Sequence, residues 1–302
     1  MVELWIPIAI FAAFMQNLRS ALQKYIKGRL STGGATYVRF FYAWPFAVLY
    51  LWAVYGFGDA PLPTANGLFL AYCLAGGLSQ ILFTFLLVYL FSFKNFAVGT
   101  TYSKTEVVQI ALLGLVLLGD RVSAIGVFAI AVGLVGIMAM SVARSAVTWA
   151  SLATGLGEKP TLIGLGCGAF LGASVVFFRG AALALGDGDF LLRAAFTLAV
   201  AVVLQTLIMG AYLLVREPGQ MRAVIRHWRP ALAVGITGFM ASVGWFTAFT
   251  LENAAYVRAV GQIELVFTFI ASIFFFKEKP NLLEVVGIGL IVAAILLLVL
   301  LG

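Results

Sequence analysis

The sequence predicts an all-α integral membrane protein, with ten transmembrane helices arranged as two inverted five-helix repeats around a central cavity. Of the 302 residues, 63% are hydrophobic and 10% are charged, whereas roughly 25% are charged in soluble domains. The charges are spaced so that stretches of about 20 apolar residues remain between them, the length of a membrane-spanning helix. The third observation is an internal repeat. Because the outside of a soluble protein must face water, this composition indicates a surface that mostly faces lipid.

Charged residues mark the ends of the predicted spans. No charge lies between Arg39 and Asp59, or in the residues that follow Glu284. Lipid offers no hydrogen-bond partner to backbone N–H and C=O groups, so each span is predicted to be a helix. The spans are predicted at residues 4–26, 35–56, 67–92, 96–118, 122–142, 161–184, 191–215, 230–251, 255–276 and 282–301.

The two halves of the chain resemble each other at an offset of 158 residues, at which Glu106 falls on Glu264. This predicts a first repeat over 1–145, a linker over 146–160 and a second repeat over 161–302. An odd number of helices per repeat places the halves in opposite orientations in the membrane. Two inverted halves around a midplane site can exchange conformations and so expose the site to each side in turn.

The loop charges predict the orientation of the chain. Lys and Arg are concentrated in the loops that follow the odd-numbered spans, and the opposite side carries Arg121 alone. Cytoplasmic loops are enriched in Lys and Arg. The pattern therefore predicts that the odd loops are cytoplasmic and that both termini are outside.

Polar and aromatic residues gather in some of the predicted helices. The fifth and tenth spans are almost purely apolar and are predicted to be scaffold. A charge at the centre of a membrane helix costs on the order of 3 kcal/mol, so polar residues at that depth are candidates for a functional site. The residues predicted to line a substrate cavity are Gln16, Asn17, Gln80, Phe83, Tyr102, Phe178, Trp245, Phe249 and Gln262.

Glu106 and Glu264 are the strongest charged candidates for a functional site, since each lies near the middle of its span. One interpretation pairs them with the cations Arg19 or Arg179 for structural reasons, and it is the favoured one. The other makes them proton-coupling carboxylates, or groups that hold a substrate ammonium. An unpaired buried carboxylate has a raised pKa and titrates closer to neutral pH.

Two further cations, Lys104 and Arg258, lie in the fourth and ninth spans. Lys104 either reaches a substrate carboxylate or extends its amine to the membrane interface, and Arg258 has the same two interpretations. In the sixth span, Gly164, Gly168 and Gly172 recur every four residues. Small residues at this spacing allow close contact between helices, so we predict packing rather than ligand binding for them.

Several classes of function are disfavoured by what the sequence contains. His227 is the one histidine, and Cys73 and Cys167 have no metal-binding spacing, so we expect no metal and no cofactor. Neither a phosphate-binding loop nor a Gly-x-Ser-x-Gly nucleophile motif is present, which argues against an enzyme. The basic residues are scattered between apolar stretches rather than clustered, which argues against binding of nucleic acid.

The loop after the fourth helix of each repeat resembles a known family. It reads Phe276–Pro280 (FKEKP) in the second repeat and Leu118–Val122 (LGDRV) in the first, and the second span begins Tyr37–Phe41 (YVRFF). With the ten helices, these features resemble the drug/metabolite transporter (DMT) superfamily in its EamA-like branch, and within it the YddG-type amino-acid exporters. The resemblance implies export through a central, largely hydrophobic cavity.

These observations predict a secondary transporter that exports amino acids, with aromatic or apolar side chains, and related small metabolites across the inner membrane by alternating access. Its partners are the small-molecule substrate and the lipid bilayer, and a monomer is the simplest expectation. The first alternative is a transporter of nucleotide sugars or cationic drugs, and the second is an integral membrane enzyme.

Overall fold

The chain is α-helical wherever the computed structural model describes regular structure, in residues 3–58, 60–93, 96–144, 148, 150, 157–186, 188–274, 277 and 279–301. Most of the predicted linker 146–160 and part of the turn 275–278 lie outside these residues. The described helices are α1 (Trp5–Ile26), α2 (Thr32–Phe41), α3 (Trp44–Phe57), α4 (Gly67–Leu90), α5 (Phe96–Ser103), α6 (Glu106–Leu118), α7 (Ala124–Arg144), α8 (Lys159–Ala184), α9 (Phe190–Arg216), α10 (Pro218–Arg226), α11 (Trp228–Leu251), α12 (Ala254–Gly261), α13 (Ile263–Phe274) and α14 (Leu282–Leu301).

Within the described residues, 8 helical stretches are long and apolar enough to cross a membrane. The chain is therefore a multi-pass membrane protein. The two other predicted spans correspond to α1, which carries several polar residues, and to α12 with α13, which are separate short helices. The eight stretches are Thr32–Phe57, Gly67–Leu90, Gly99–Leu118, Ala124–Ala143, Lys159–Ala184, Phe190–Arg216, Trp228–Leu251 and Leu282–Leu301.

The second span is divided into α2 and α3 by a proline. Pro45 lies in the first turn of α3. It has no N–H to donate to the carbonyl of Phe41, and its ring would clash with that carbonyl in a continuous helix. The helix therefore ends at Phe41 and restarts at Trp44.

The fourth and ninth spans are also divided, which corrects the prediction of one continuous helix in each. At the first break, Lys104 N–H donates to the carbonyl of Thr101 at 3.0 Å. At the second, Gln262 N–H donates to the carbonyl of Ala259 at 3.2 Å. Bonds to the third preceding residue tighten the chain into a 3₁₀ turn, so the α-helix is interrupted in both spans without a proline.

Helix α8 packs against α5 through glycine. A Cβ added at Gly164 would lie 2.1 Å from the carbonyl oxygen of Gly99, and one at Gly168 would lie 3.0 Å from the carbonyl oxygen of Ser103. Backbone atoms cannot move aside as a flexible side chain can. The sequence prediction that this glycine series serves packing therefore agrees with the geometry.

We expect Gly164→Ala to destabilise the protein. The added methyl group must push α8 away from α5, and overpacking of this kind costs about 1–3 kcal/mol. Gly166→Ala on the same helix is the matched control, because its Cβ would meet only Leu86 Cδ1 at 3.8 Å. Thermal unfolding in detergent should show a lower melting temperature for the first variant only, and equal temperatures for both would contradict the packing argument.

Helices α7 and α14, the predicted scaffold, pack on each other. A Cβ on Gly136 would lie 2.8 Å from the carbonyl oxygen of Gly287, and the reverse distance is 2.9 Å. Ile137, Met140 and Ile291 form an apolar cluster at this contact. The pair stands beside the broken helices and contributes no residue to the polar cavity described below.

Candidate functional site

A polar cavity of about 200 Å³ lies inside the helical bundle. Helices α1, α4, α5 and α6 of the first half contribute to its wall, together with α8, α12 and α13 of the second. Both helix breaks border it, because Lys104, Glu106, Arg258 and Glu264 are part of its lining. The full lining is Gln16, Asn17, Arg19, Ser20, Phe83, Leu87, Thr100, Ser103, Lys104, Glu106, Leu171, Arg258, Glu264, Leu265 and Thr268.

The most buried ion pair of the cavity joins Glu106 of the first half to Arg258 of the second. Both side chains are 2% exposed. Arg258 Nε lies 3.1 Å from Glu106 Oε1, and Nη2 donates to the same oxygen. Glu106 lies in the first turn of α6, where the helix dipole also favours a negative charge. The helix break therefore supplies both the position and part of the stabilisation of this carboxylate.

A second ion pair runs in the opposite sense, from Lys104 of the first half to Glu264 of the second. Glu264 lies in the first turn of α13, and Gln16 Nε2 donates to its Oε2 at 3.3 Å. Lys104 and Glu264 are 22% and 11% exposed, so this pair is less buried than the first. Each half of the chain thus supplies one carboxylate and one cation to the other half.

Trp245 of α11 packs beside these groups. Its Nε1 donates to Gln16 Oε1 at 3.0 Å, and the Arg258 guanidinium carbon lies 4.7 Å from the centre of its ring. Phe249 stacks on Trp245, with ring centres 5.7 Å apart and an interplanar angle of 13°. Cation–π contact with a desolvated ring contributes up to about 2 kcal/mol, so the aromatic pair holds Arg258 in place.

Arg179 of α8 makes a dense set of contacts at the end of the bundle where α6 and α11 finish. Its Nε and Nη2 donate to the two carboxylate oxygens of Asp120 at 2.7 and 3.2 Å. Its Nη1 donates to the backbone carbonyls of Phe249 and Glu252 at 2.6 and 2.5 Å. We call these four groups the end clamp. It ties the loop after α6, helix α8 and the end of α11 together.

The partners predicted for the two glutamates are wrong. Arg179 belongs to the end clamp, because it lies near the end of α8 and not at the depth of the helix breaks. Arg19 makes no ion pair within the described part of the chain. The partners are Arg258 and Lys104, which the sequence placed in the same two helices as the glutamates.

Arg19 is the unsatisfied cation of the cavity. It is 1% exposed, and its Nε and Nη1 have no hydrogen-bond partner among the described residues. Its Nη2 donates to Ser20 Oγ at 3.2 Å. A buried cation that forms no ion pair and leaves two donors unsatisfied is costly, so this group requires an explanation.

The structure separates the predicted cavity residues into three groups. Gln16, Asn17 and Phe83 lie in the wall. Trp245 and Gln262 lie just behind it, where they contact Arg258 and Glu106, and Phe249 lies behind Trp245.

Three predicted residues do not reach the cavity. Gln80 accepts from Gln205 Nε2 at 2.9 Å, so it contacts α9 and is not part of the cavity lining. Phe178 packs on Phe246, with ring centres 4.7 Å apart, in a separate apolar cluster. Tyr102 is buried outside the lining. In the sequence these three residues resemble those that line the cavity in hydrophobicity and in depth within the span. Neither property indicates which way a side chain points.

The sequence reasoning missed several small polar lining residues. Thr268 Oγ1 accepts from Asn17 Nδ2 at 2.9 Å, and Thr100, Ser103 and Ser20 also line the cavity. A helical signal was available for two of them. Thr268 follows Glu264 by four residues and Ser20 follows Gln16 by four, so each shares a helix face with a polar residue that had been singled out.

Metal and cofactor binding find no support in the site. Among the described residues, no group of three or more His, Cys, Asp or Glu is arranged to hold a metal ion. Cys73 and Cys167 are buried and unpaired with each other. The arrangement offers hydrogen bonds and charges for binding a small molecule.

The second half of the chain, which contains α8 to α14, carries a recognisable family pattern. Residues 158–300 match the EamA-like transporter family. This match supports the drug/metabolite transporter superfamily, EamA branch, for the second half of the chain. The EamA-like family consists of membrane transporters, which indicates a transporter of small molecules.

The fold of the chain is shared with a solved structure over almost its whole length. A crystal structure of a protein superposes with a TM-score of 0.69 at 16% identity, covering 98% of this chain and 96% of that chain. At this identity the similarity shows the fold alone. No curated protein matches the sequence.

Proposed function

We propose that this chain is a secondary transporter that exports amino acids, chiefly those with aromatic or apolar side chains, across the inner membrane by alternating access. Its architecture would be ten transmembrane helices in two inverted repeats, residues 1–145 and 161–302. The loop charges favour termini on the outside.

The helix breaks support the inverted repeat. Helix α5 begins at Phe96 and ends at Ser103, and α12 begins at Ala254 and ends at Gly261. The bounds of the two helices differ by 158 residues, which is the repeat offset. The helices of the two halves are therefore interrupted at equivalent positions. Interrupted helices at matching positions of two inverted halves are the best indication of a transporter binding site.

The observation that carries the proposal is the polar cavity crossed by reciprocal ion pairs. Glu106 pairs with Arg258 and Lys104 pairs with Glu264, so each pair joins the two halves at the cavity. Intramembrane charges of this kind mark substrate or ion pathways. If one half rocks against the other, these contacts are among those that must change, which links the cavity to alternating access.

The size and walls of the cavity favour an amino acid over the alternatives. Its volume of about 200 Å³ is below the roughly 300–1,000 Å³ of sites for drug-sized ligands. Nucleotide sugars and cationic drugs are therefore disfavoured. Phe83, Leu87 and Leu171 supply an apolar wall for a side chain. An integral membrane enzyme is disfavoured because no nucleophile and base meet among the described lining residues.

Flux into proteoliposomes tests the proposal. Purified protein should transport labelled phenylalanine or leucine saturably, and unlabelled amino acids should compete. Competition by a sugar nucleotide or a dicarboxylate, without competition by amino acids, would overturn the substrate class. Empty liposomes and liposomes with heat-denatured protein give the background.

A further inference from the structure

The buried cation Arg19 carries an inference that rests on the proposed function. The described lining of the cavity holds two carboxylates, on Glu106 and Glu264, and three cations. Arg258 and Lys104 pair with the two carboxylates. Arg19 forms no ion pair among the described residues, and two of its nitrogens have no acceptor there.

A second buried arginine adds to this positive charge. Arg39 of α2 is 7% exposed, and its Nη1 donates to the hydroxyl of Thr84 at 2.7 Å. A Cβ on Gly238 would lie 3.4 Å from Arg19 Cδ and 3.6 Å from Arg39 Cγ. The aliphatic parts of both arginine side chains therefore pack against the same glycine. Within the described residues, no carboxylate forms an ion pair with either arginine.

We propose that Arg19 binds the carboxylate of the transported amino acid. A guanidinium only donates hydrogen bonds, and a carboxylate is the acceptor whose charge and shape it matches best. A bound water could accept from the free nitrogens, but it would leave the excess charge uncompensated. Entry of a carboxylate satisfies both the hydrogen bonds and the charge, while the apolar wall of the same cavity faces the side chain of the substrate.

The proposal predicts which part of the substrate is recognised. Wild-type protein should bind L-phenylalanine more tightly than L-phenylalaninamide or phenethylamine, which lack the carboxylate. The dissociation constants should differ by about 10-fold or more, which corresponds to the free energy of one hydrogen bond between charged groups. Isothermal titration calorimetry in detergent measures the three dissociation constants, in a zwitterionic buffer free of chloride and of carboxylates so that neither anion competes for Arg19.

Variants of Arg19 assign the effect to that residue. Arg19→Gln should weaken phenylalanine binding by a similar factor and should no longer distinguish phenylalanine from its amide. Arg19→Lys should retain part of the preference, because it keeps the charge but not the planar fork. Arg222→Gln removes the same charge from the exposed surface of α10 and should behave as wild type.

The outcomes separate this proposal from the proposed function. Equal wild-type affinity for all three compounds, with flux intact, overturns the role of Arg19 and leaves amino-acid transport standing. An Arg19-dependent effect of chloride alone, without discrimination among the three compounds, also overturns it. Absence of both binding and flux for every amino acid rejects the proposed function and the inference together. If Arg19→Gln does not fold, Arg19→Lys makes the assignment, and a preference for the carboxylate as strong as that of wild type would overturn the role of Arg19.

Discussion

Replacing Glu106 by Gln should lower the free energy of unfolding by about 3–5 kcal/mol, the cost of leaving one partner of a buried ion pair without the other. Arg258 is 2% exposed, so water cannot replace the lost carboxylate. The neutral amide retains an acceptor oxygen but no charge. Chemical or thermal unfolding in detergent measures the loss.

A double-mutant cycle separates the ion pair from its surroundings. Glu106→Leu with Arg258→Met should recover much of the stability lost by either single change, since a buried pair is often replaceable by apolar groups of similar volume. The coupling energy of the cycle should reach about 1–3 kcal/mol. Additive effects of the two substitutions would show that the pair does not hold the halves together.

The Lys104–Glu264 pair is the internal comparison. It is more exposed than the Glu106–Arg258 pair, so Glu264→Gln should cost less stability than Glu106→Gln.

Transport measurements test the two interpretations of the carboxylates. If Glu264 couples protons, Glu264→Gln should retain exchange of substrate but lose its response to a pH gradient. Unchanged response in both glutamate variants would leave the carboxylates a structural role alone.

Replacing Arg179 by Gln should open the end clamp and cost about 3 kcal/mol of stability, because Asp120 would lose its cation. The same change removes the donor to the carbonyls of Phe249 and Glu252. Arg179→Lys should rescue only part of the loss, since an ammonium cannot reproduce the fork of the guanidinium. Melting temperatures in detergent give the order of the variants.

The function of the end clamp is tested by the same variants. If it closes one end of the pathway, Arg179→Gln and Asp120→Asn should alter the transport rate more than they alter substrate affinity. Arg193→Gln is the matched control, because the side chain of Arg193 donates a single described hydrogen bond, to the carbonyl of Gly186 at 2.8 Å. Equal loss of stability in the control and in Arg179→Gln would contradict the clamp.

The membrane class and most helix positions were predictable from the sequence, because both follow from composition along the chain. Lipid as solvent demands long apolar segments and penalises charge, and these demands are local. The predicted span at 191–215 corresponds to α9 at Phe190–Arg216, and the one at 282–301 to α14 at Leu282–Leu301. The equivalence of Glu106 and Glu264 was also visible in the sequence, since it depends on a repeat offset.

The sequence by itself determined which helices carry polar groups and which glycines pack closely, but only the tertiary structure decided which groups meet. Arg179 and Arg19 were predicted as partners of the glutamates, yet the partners are Arg258 and Lys104. The breaks at Lys104 and Gln262, which no proline marks, were also visible only in the tertiary structure. Pairing across the bundle depends on helix rotation and direction, and these are set by packing between segments that are distant in sequence.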